Sequence, residues 1–349
     1  TDHHEETIDP SLTAVLPELV WHLDEPSDPL SLCAWHVAQL ASRSVKVVIG
    51  GDGGDELFGG YDRYYGNLYA DYYGRVPEGL RRYVLGPALE RIPSAGWYKS
   101  KGHQLRWLHR LSFLSGAERY ASSLNYFYFE PAMRAELFTP EVRARITGWR
   151  AEGAIEEPYD HLEGGGGPLD RMLYADSRVR LPDHPVMITD RMTMAWGLEA
   201  RSPFMDHRVA EFAARLPDSL KIRGRSLRYI QRKLAARYLP PEILERPKQG
   251  FSSALPYVLG GEYRILYDGF LRNAELVKAG ILQAAPIENL LREHLAGHID
   301  HGNRLWLLIN SELWYRMMIQ GHTRDMLAGE LEAARADARH STRAQAATA

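Results

Sequence analysis

VVIGGDGGDELFGGY, Val47 to Tyr61, passes from β-branched residues straight into paired glycines and three carboxylates, Asp52, Asp55 and Glu56. Val45 to Ile49 is short and apolar on both parities, which predicts a buried central strand of a parallel sheet. Just upstream, Leu30, Cys33, Ala34, Val37, Ala38 and Ala41 recur at helical spacing and predict one face of an amphipathic helix. Helix, strand and glycine turn in that order predict an α/β sheet, whose ligands sit beyond the carboxyl ends of its strands. The acidic turn lies at that end.

The turn admits several readings. A Walker phosphate loop needs Lys-Ser/Thr after its glycines, whereas here Asp52, Asp55 and Glu56 would repel bare phosphate. Gly50 to Leu57 satisfies the glycine-aspartate nonapeptide of calcium-binding β-helices, but that architecture needs stacked copies and this is a single match. A tight turn with solvated acids accounts for the loop taken alone. The remaining reading makes a carboxylate a ligand to Mg²⁺, a hard cation usually shared between one or two carboxylates and a substrate's phosphates. The glycines at 50, 51 and 53 then let the backbone approach the nucleotide closely.

Further out, helical periods dominate. Val209, Phe212, Ala213 and Leu216 form one stripe; Leu227, Ile230, Leu234 and Tyr238 form another, stopped by Pro240-Pro241. Trp306, Ile309, Leu313 and Met317 mark a last core helix, and the Ala/Arg/Glu-rich tail, residues 322–349, is expected to be helical or disordered and to fray. Gly164 to Gly167 reads as a surface connection or a lid. Few strands are expected beyond Tyr61.

With 349 residues, 45% hydrophobic and 25% charged, the chain can bury a full core. A net charge of −3 with interspersed signs offers no field for nucleic acid or an anionic membrane. No apolar run approaches the roughly 18 to 20 residues of a membrane span. The single cysteine, Cys33, cannot form an internal disulfide and reads as a small core residue, so a cytoplasmic location is expected. The sequence opens at Thr1 without a methionine, which suggests numbering that begins inside a longer product. His3 and His4 beside Glu5 and Glu6 are adjacent residues that point to opposite faces if extended, a poor metal cluster.

Three blocks, VVIGGDGGDELFGGY from Val47, DRMTMAWGLEARSPFMDHRVAEF from Asp190 and LPPEILERPKQGFSSAL from Leu239, closely resemble the synthetase domain of glutamine-hydrolysing asparagine synthases and relatives such as β-lactam synthetases. LDEPSDPLSL from Leu23 and NRLWLLINSELW from Asn303 fit more loosely, extending the likeness over residues 1–321. The fold implied is α/β: the remainder of a parallel-sheet ATP-pyrophosphatase domain (adenine nucleotide α-hydrolase-like), followed by a mostly helical lobe. Residues 1–65 would hold the sheet portion with the acidic glycine loop, and 66–321 the helices.

The resemblance also implies a reaction. A carboxylate, in the type member the side chain of aspartate, attacks the α-phosphate of ATP to give an acyl-adenylate and pyrophosphate; ammonia from glutamine then displaces AMP. ATP and Mg²⁺ are the expected cofactors. By motif position Asp55 is the magnesium ligand, Asp52 assists proton transfer from the attacking amine, and Asp190 binds an amine or shares that proton work. Asp190 and Arg191 match a substrate-facing pair. Lys248 lies near the α-phosphate, Gly250 lets its loop close, and Arg232 is a cation near pyrophosphate, with Arg228 where many relatives carry lysine. Glu56 is either functional or structural. Glu199 and Arg201 are expected to form a buried ion pair that holds the turn at Ser202-Pro203, and Asp24-Glu25-Pro26 to shape a turn beside the substrate pocket.

The family's Ser-Gly-Gly-x-Asp-Ser pyrophosphate loop and its glutaminase domain with an amino-terminal cysteine nucleophile do not occur in these 349 residues. The expectation is a domain that is N-terminally incomplete and inactive alone, the missing part truncated or supplied by a partner, and a homodimer as one arrangement. A non-catalytic homologue that keeps the fold, or an amidotransferase for a peptide, sugar or cell-envelope acid, are the rival readings.

Overall fold

A computed structural model of the chain describes residues 2–7, 14–26, 29–92, 101–125, 128–246, 262–297 and 299–348, with side chains described up to 338. The architecture is mostly helical around a small parallel sheet. Helices α1 (Leu16–Leu23) and α2 (Leu30–Ser42) precede strand β1 (Val47–Ile49), the short helix α3 (Gly54–Phe58) and α4 (Asp62–Gly74). The helices that follow include α5 (Lys101–Leu111), α6 (Gly116–Asn125), α7 (Pro168–Ala175) and α8 (Met187–Met194). Only then does strand β2 (Glu199–Arg201) return to pair with β1, in parallel, with Val47 opposite Glu199 and Ile49 opposite Arg201. The chain ends through α9 (His207–Ala214), α10 (Tyr229–Ala235), α11 (Ala284–Leu295), α12 (Gly302–Trp314) and α13 (Arg324–Thr348).

β2 was not expected: Glu-Ala-Arg is too short and too charged to read as a strand, and its formation rests on pairing with β1. β1 is also less buried than its composition predicts. Val47 is 46% and Ile49 77% exposed, because among the described residues β1 has a strand neighbour on one edge only and nothing covers the face those side chains share.

Among the described residues two apolar cores lie under the helices. The larger gathers Leu16, Leu19, Val20, Trp35, Ile188, Met192, Trp306, Ile309, Leu313 and Leu331; the smaller centres on Tyr64, Tyr120, Leu169 and Met172. In α2 the buried side chains are Ser31, Leu32, Trp35 and Ala38, so the inward face is rotated from the expected one and Val37 lies outside, 53% exposed. Trp35 decides this: its ring meets Trp196 edge-on at 5.1 Å between centroids, and the area it buries outweighs the smaller residues opposite. α12 buries Trp306, Ile309 and Leu313 as expected and continues in a wider turn that buries Met317.

The tail takes the helical form of the two expected, and its first half docks rather than frays. α13 buries Leu327 and Leu331, and is tied down by Arg335 to Glu262 at 2.8 Å, Arg316 to Glu330 at 2.6 Å and Arg324 to Glu18 at 2.7 Å. The stripe on α10 differs too: Leu234 and Tyr238 are exposed among the described residues. Gly164 and Gly165 take left-handed backbone in a turn that Gly167 closes by donating its N–H to Asp170 Oδ2 at 3.2 Å.

Candidate functional site

The site begins where β1 ends. The Gly50 N–H donates to the Arg201 carbonyl at 2.8 Å, the last rung of the sheet, and the chain then turns at Asp52-Gly53 into α3. Gly53 starts that helix with φ 84°, which a side chain would strain, and a Cβ there would press on Met205 Cγ at 3.2 Å. The Ser202–Asp206 turn after β2 therefore forms the bed of the glycine loop. Gly51 has no neighbour within 4 Å of a Cβ placed on it, so its backbone is open to an approaching ligand.

The two aspartates meet different surroundings. The Asp52 carbonyl accepts from Ser202 Oγ at 2.5 Å, and its carboxylate takes a hydrogen bond from Thr189 of α8. Burial holds the Asp52 carboxyl above the usual carboxylate range, with Thr189 opposing the shift. Asp55 lies in the first turn of α3 and its carboxylate folds over Gly60, where any Cβ would overlap it. Arg228, at the start of α10 with φ 50°, brings its Nη1 to 3.3 Å from Asp55 Oδ1.

Glu56 faces the interior rather than the open side of the loop. It is 2% exposed, accepts from the Tyr61 hydroxyl at 2.5 Å and stands 3.7 Å from Arg180 Nη1. Burial raises the Tyr61 hydroxyl far above its usual range, so Tyr61 stays a donor. Arg63 and Arg180 lie over the Tyr61 ring at 3.9 and 4.8 Å from its centroid. Arg63 and Tyr64 in turn bind the fully buried Asp176. This frame of Arg63, Asp176 and Arg180 fixes α3 from below and was not legible in the sequence. Asp176 and Arg180 are one turn apart, a spacing shared by many surface ion pairs, and only packing shows that Asp176 is fully buried and Arg180 largely covered.

Asp190 is exposed on α8, next to the Thr189 that holds Asp52, and its carbonyl accepts from Thr193 Oγ1 at 3.0 Å. Its expected companion is engaged elsewhere: Arg191 Nη1 donates to the Leu23 carbonyl at 2.5 Å and tethers the end of α1. Successive helical residues project in different directions, so Asp190 and Arg191 point apart, Arg191 lying toward Glu25 of the same turn. Arg232 Nη2 donates to the Leu244 carbonyl at 2.5 Å, bracing the next helix rather than the glycine loop. Lys248 and Gly250 lie outside the described residues.

Glu199 and Arg201 were expected to be buried, and they are not. They stand 3.5 Å apart with side chains 52% and 70% exposed, on one face of β2. The turn they were to hold is fixed by Ser202 bonding to Asp52 and by Asp206, whose Oδ1 caps α9 through the Arg208 N–H at 2.9 Å. Asp24 adopts left-handed backbone at the end of α1, and its carbonyl accepts from Trp314 Nε1 at 3.0 Å. Asp24, Glu25 and Pro26 line a cleft of about 490 Å³ with Leu276, Ile281 and Trp314. Burial raises the Glu25 carboxyl, and the Arg191 charge partly offsets it.

Among the described residues no group of three or more His, Cys, Asp or Glu is arranged to hold a metal alone. The donor set at Asp55 still fits magnesium, which is commonly bound by one or two carboxylates, several waters and substrate phosphates. Glu56 is committed below the loop, leaving Asp55, cradled over Gly60, as the carboxylate at the turn that suits the ion.

An acidic glycine turn at the carboxyl end of a parallel strand, seated on a second turn from the neighbouring strand, defines an α/β domain built to present oxygen donors at a sheet rim. The chain belongs to the asparagine synthase family, whose model matches residues 1–316. A Mycobacterium tuberculosis protein provisionally named asparagine synthetase (glutamine-hydrolyzing) is 32% identical over 313 residues, 88% of this chain and 45% of its own length. Asparagine synthetase (glutamine-hydrolyzing) 1 of Bacillus subtilis is 28% identical over 313 residues, 87% of this chain and 46% of its own. The chain thus spans a little under half the length of these relatives. Among the described residues no helix is long and apolar enough to cross a membrane.

Proposed function

We propose that this chain is the synthetase portion of a glutamine-dependent, amide-forming ligase that adenylates a carboxylate, the side chain of aspartate in the first instance, and passes it to ammonia. The observation that carries the reading is the separation of Asp52 and Asp55 at the rim of the sheet into two environments, one suited to proton transfer and one to charge. Family membership and the names of the relatives support the reaction class. The ATP-pyrophosphatase fold, a cytoplasmic location and a glutaminase source of ammonia belong to the same proposal.

In this reading Asp55 holds Mg²⁺, and the bound ion supplies cancellation of phosphate charge, which the carboxylates alone would worsen. Asp52, with its raised affinity for a proton, accepts one from the attacking amine. Ser202 and Thr189 fix its backbone and its carboxylate respectively. Gly51 leaves the main chain open for close approach of the nucleotide, with Gly50 and Gly53 shaping the turn around it. Asp190 is exposed to meet a substrate amine. Lys248 would supply the cation near the α-phosphate, and Arg232 would reach pyrophosphate only after leaving the Leu244 carbonyl.

Calorimetric titration of the chain with MgATP tests this. Asp55→Asn should weaken binding at least about tenfold, since a hydrogen-bonded charge contact is worth roughly 1.5 to 3 kcal/mol. Gly60→Ala should do the same by displacing the Asp55 carboxylate. Equal affinity in all three proteins would remove Asp55 from the site.

A further inference from the structure

We infer that Arg228 is a built-in counter-ion for Asp55, one that a divalent cation must displace in order to bind. The inference rests on the metal role proposed above for Asp55. Its first support is the contact itself: Arg228 Nη1 stands 3.3 Å from Asp55 Oδ1, with side chains 39% and 21% exposed. Asp55 Oδ1 is itself buried, which strengthens its attraction for the guanidinium, while the exposed side of Arg228 gives that group a route into solvent.

The second support is the backbone. Among the described residues Arg228 is one of two non-glycine residues with positive φ, at φ 50° and ψ 43°. Left-handed backbone costs a non-glycine residue about 1 kcal/mol or more and is retained where something over-determines it. Helix capping does not explain it. Start positions favour Ser, Thr, Asp or Asn in extended backbone, and Arg228 offers α10 no side-chain cap. What the position achieves is to carry a guanidinium from the start of α10 to the carboxylate in α3.

The neighbouring arginines have other employment. Arg63 is bound to Asp176, Arg180 stands against Glu56 and Tyr61, and Arg232 bonds to the Leu244 carbonyl. Among these four arginines of the described residues, Arg228 is the one that meets the carboxylate with the metal role. An ammonium or guanidinium within ~4 Å and a divalent ion cannot both take full advantage of one oxygen, since each repels the other. Without metal, Arg228 keeps Asp55 from adding to the repulsion among Asp52, Asp55 and Glu56. With metal, the guanidinium is released into solvent, so apparent affinity for the free ion is lowered by the strength of the pair.

Titration of the chain with Mn²⁺ alone, followed by the loss of the free-ion electron paramagnetic resonance signal, tests the competition. Arg228→Met should bind Mn²⁺ about three- to fivefold more tightly than the wild type, the upper part of the range expected for a partly exposed pair. The gain should vanish in Arg228→Met combined with Asp55→Asn. Lys233→Met, which removes a charge from the same helix without touching Asp55, should leave affinity within about twofold, excluding a general field effect. Mn²⁺ binding that needs Asp55 but is equal in wild type and Arg228→Met would overturn the competition while leaving the metal role intact. A gain that survives loss of Asp55, or an equal gain in Lys233→Met, would overturn it as well. No binding to any variant at millimolar Mn²⁺ would sink both it and the metal role.

Discussion

Asp52 and Asp55 are a single helical turn apart in sequence, yet one is held by Thr189 and Ser202 from beyond the intervening helices and the other by Gly60 and Arg228. The consequence for Asp52 is thermodynamic. Its folded pKa lies above the ordinary value because burial disfavours the charge, so its contribution to stability is fully present below the unfolded pKa of about 3.9 and is lost as pH rises through the folded pKa. Asp52→Asn should therefore raise the melting temperature at pH 7 to 8, and the gain should disappear below about pH 3.9, where the wild type is protonated too. Differential scanning calorimetry across that range checks the sign; a loss of stability at neutral pH would mean that the charge is welcome where it lies. The acids themselves were legible, because carboxylates set among glycines after a β-branched run have few other uses. That Thr189, Ser202 and Arg228 act on these two aspartates was not, since each reaches the loop from a distant segment, and Arg228 was marked by the resemblance alone.

The corner between α11 and α12 shows the same coupling of burial to charge over a whole element. His301 Nε2 meets Glu293 Oε2 at 2.8 Å while its Nδ1 faces Arg304 Nη1 at 3.0 Å, and His294 Nδ1 receives the His301 N–H at 3.1 Å. His103 of α5 is half-buried within reach of Arg304, Arg106 and Asp300, and that desolvation, reinforced by the two guanidiniums, pulls it down to about 4. Burial lowers His294 and His301 as well, against the pull of Asp300 and Glu293. All three histidines are thus favoured neutral in the folded chain. The stability this represents is intact above the unfolded value of about 6.5 and falls as pH drops toward the folded values. Acid unfolding should begin below about pH 6.5 and steepen toward about pH 4; His103→Phe, which cannot take up a proton, should flatten that slope in urea melts followed at each pH, and an unchanged slope would place the acid sensitivity elsewhere. Legibility at this scale depended on which residue dominates a face. α12 was read correctly because Trp306, Ile309 and Leu313 all lie on its buried side, whereas in α2 the six smaller residues read as the inward face drew attention from Trp35, and of them Ala38 is buried, Leu30, Cys33 and Ala34 pack at the core's margin and Val37 is exposed. α13 looked too polar to dock, but Leu327 and Leu331 at one-turn spacing suffice when Arg335 secures the next turn.

For the molecule as a whole, the helical majority and the α/β class followed from periodicity, while the sheet's second strand came from three residues that no local pattern marks. That pairing leaves a feature which acts at the scale of the whole chain: β1 presents Val47 and Ile49 on one exposed face and has one edge without a strand among the described residues. An open edge with apolar side chains is a template for association with another chain, and a net charge of −3 spread over 349 residues offers little repulsion to oppose it. Ile49 stands in register with Arg201, so Ile49→Glu removes the largest exposed apolar side chain of the strand and places an acid beside a guanidinium across the ladder. Such cross-strand pairs contribute roughly 0.2 to 1 kcal/mol, comparable to the usual effect of a surface substitution, so stability should change little. Light scattering after size exclusion should show the wild type associating as concentration rises and Ile49→Glu remaining monomeric, with melting temperatures within about 2 °C of each other. Equal association in the two proteins would move the self-contact away from β1, to surfaces such as the exposed Leu234 and Tyr238 at the end of α10.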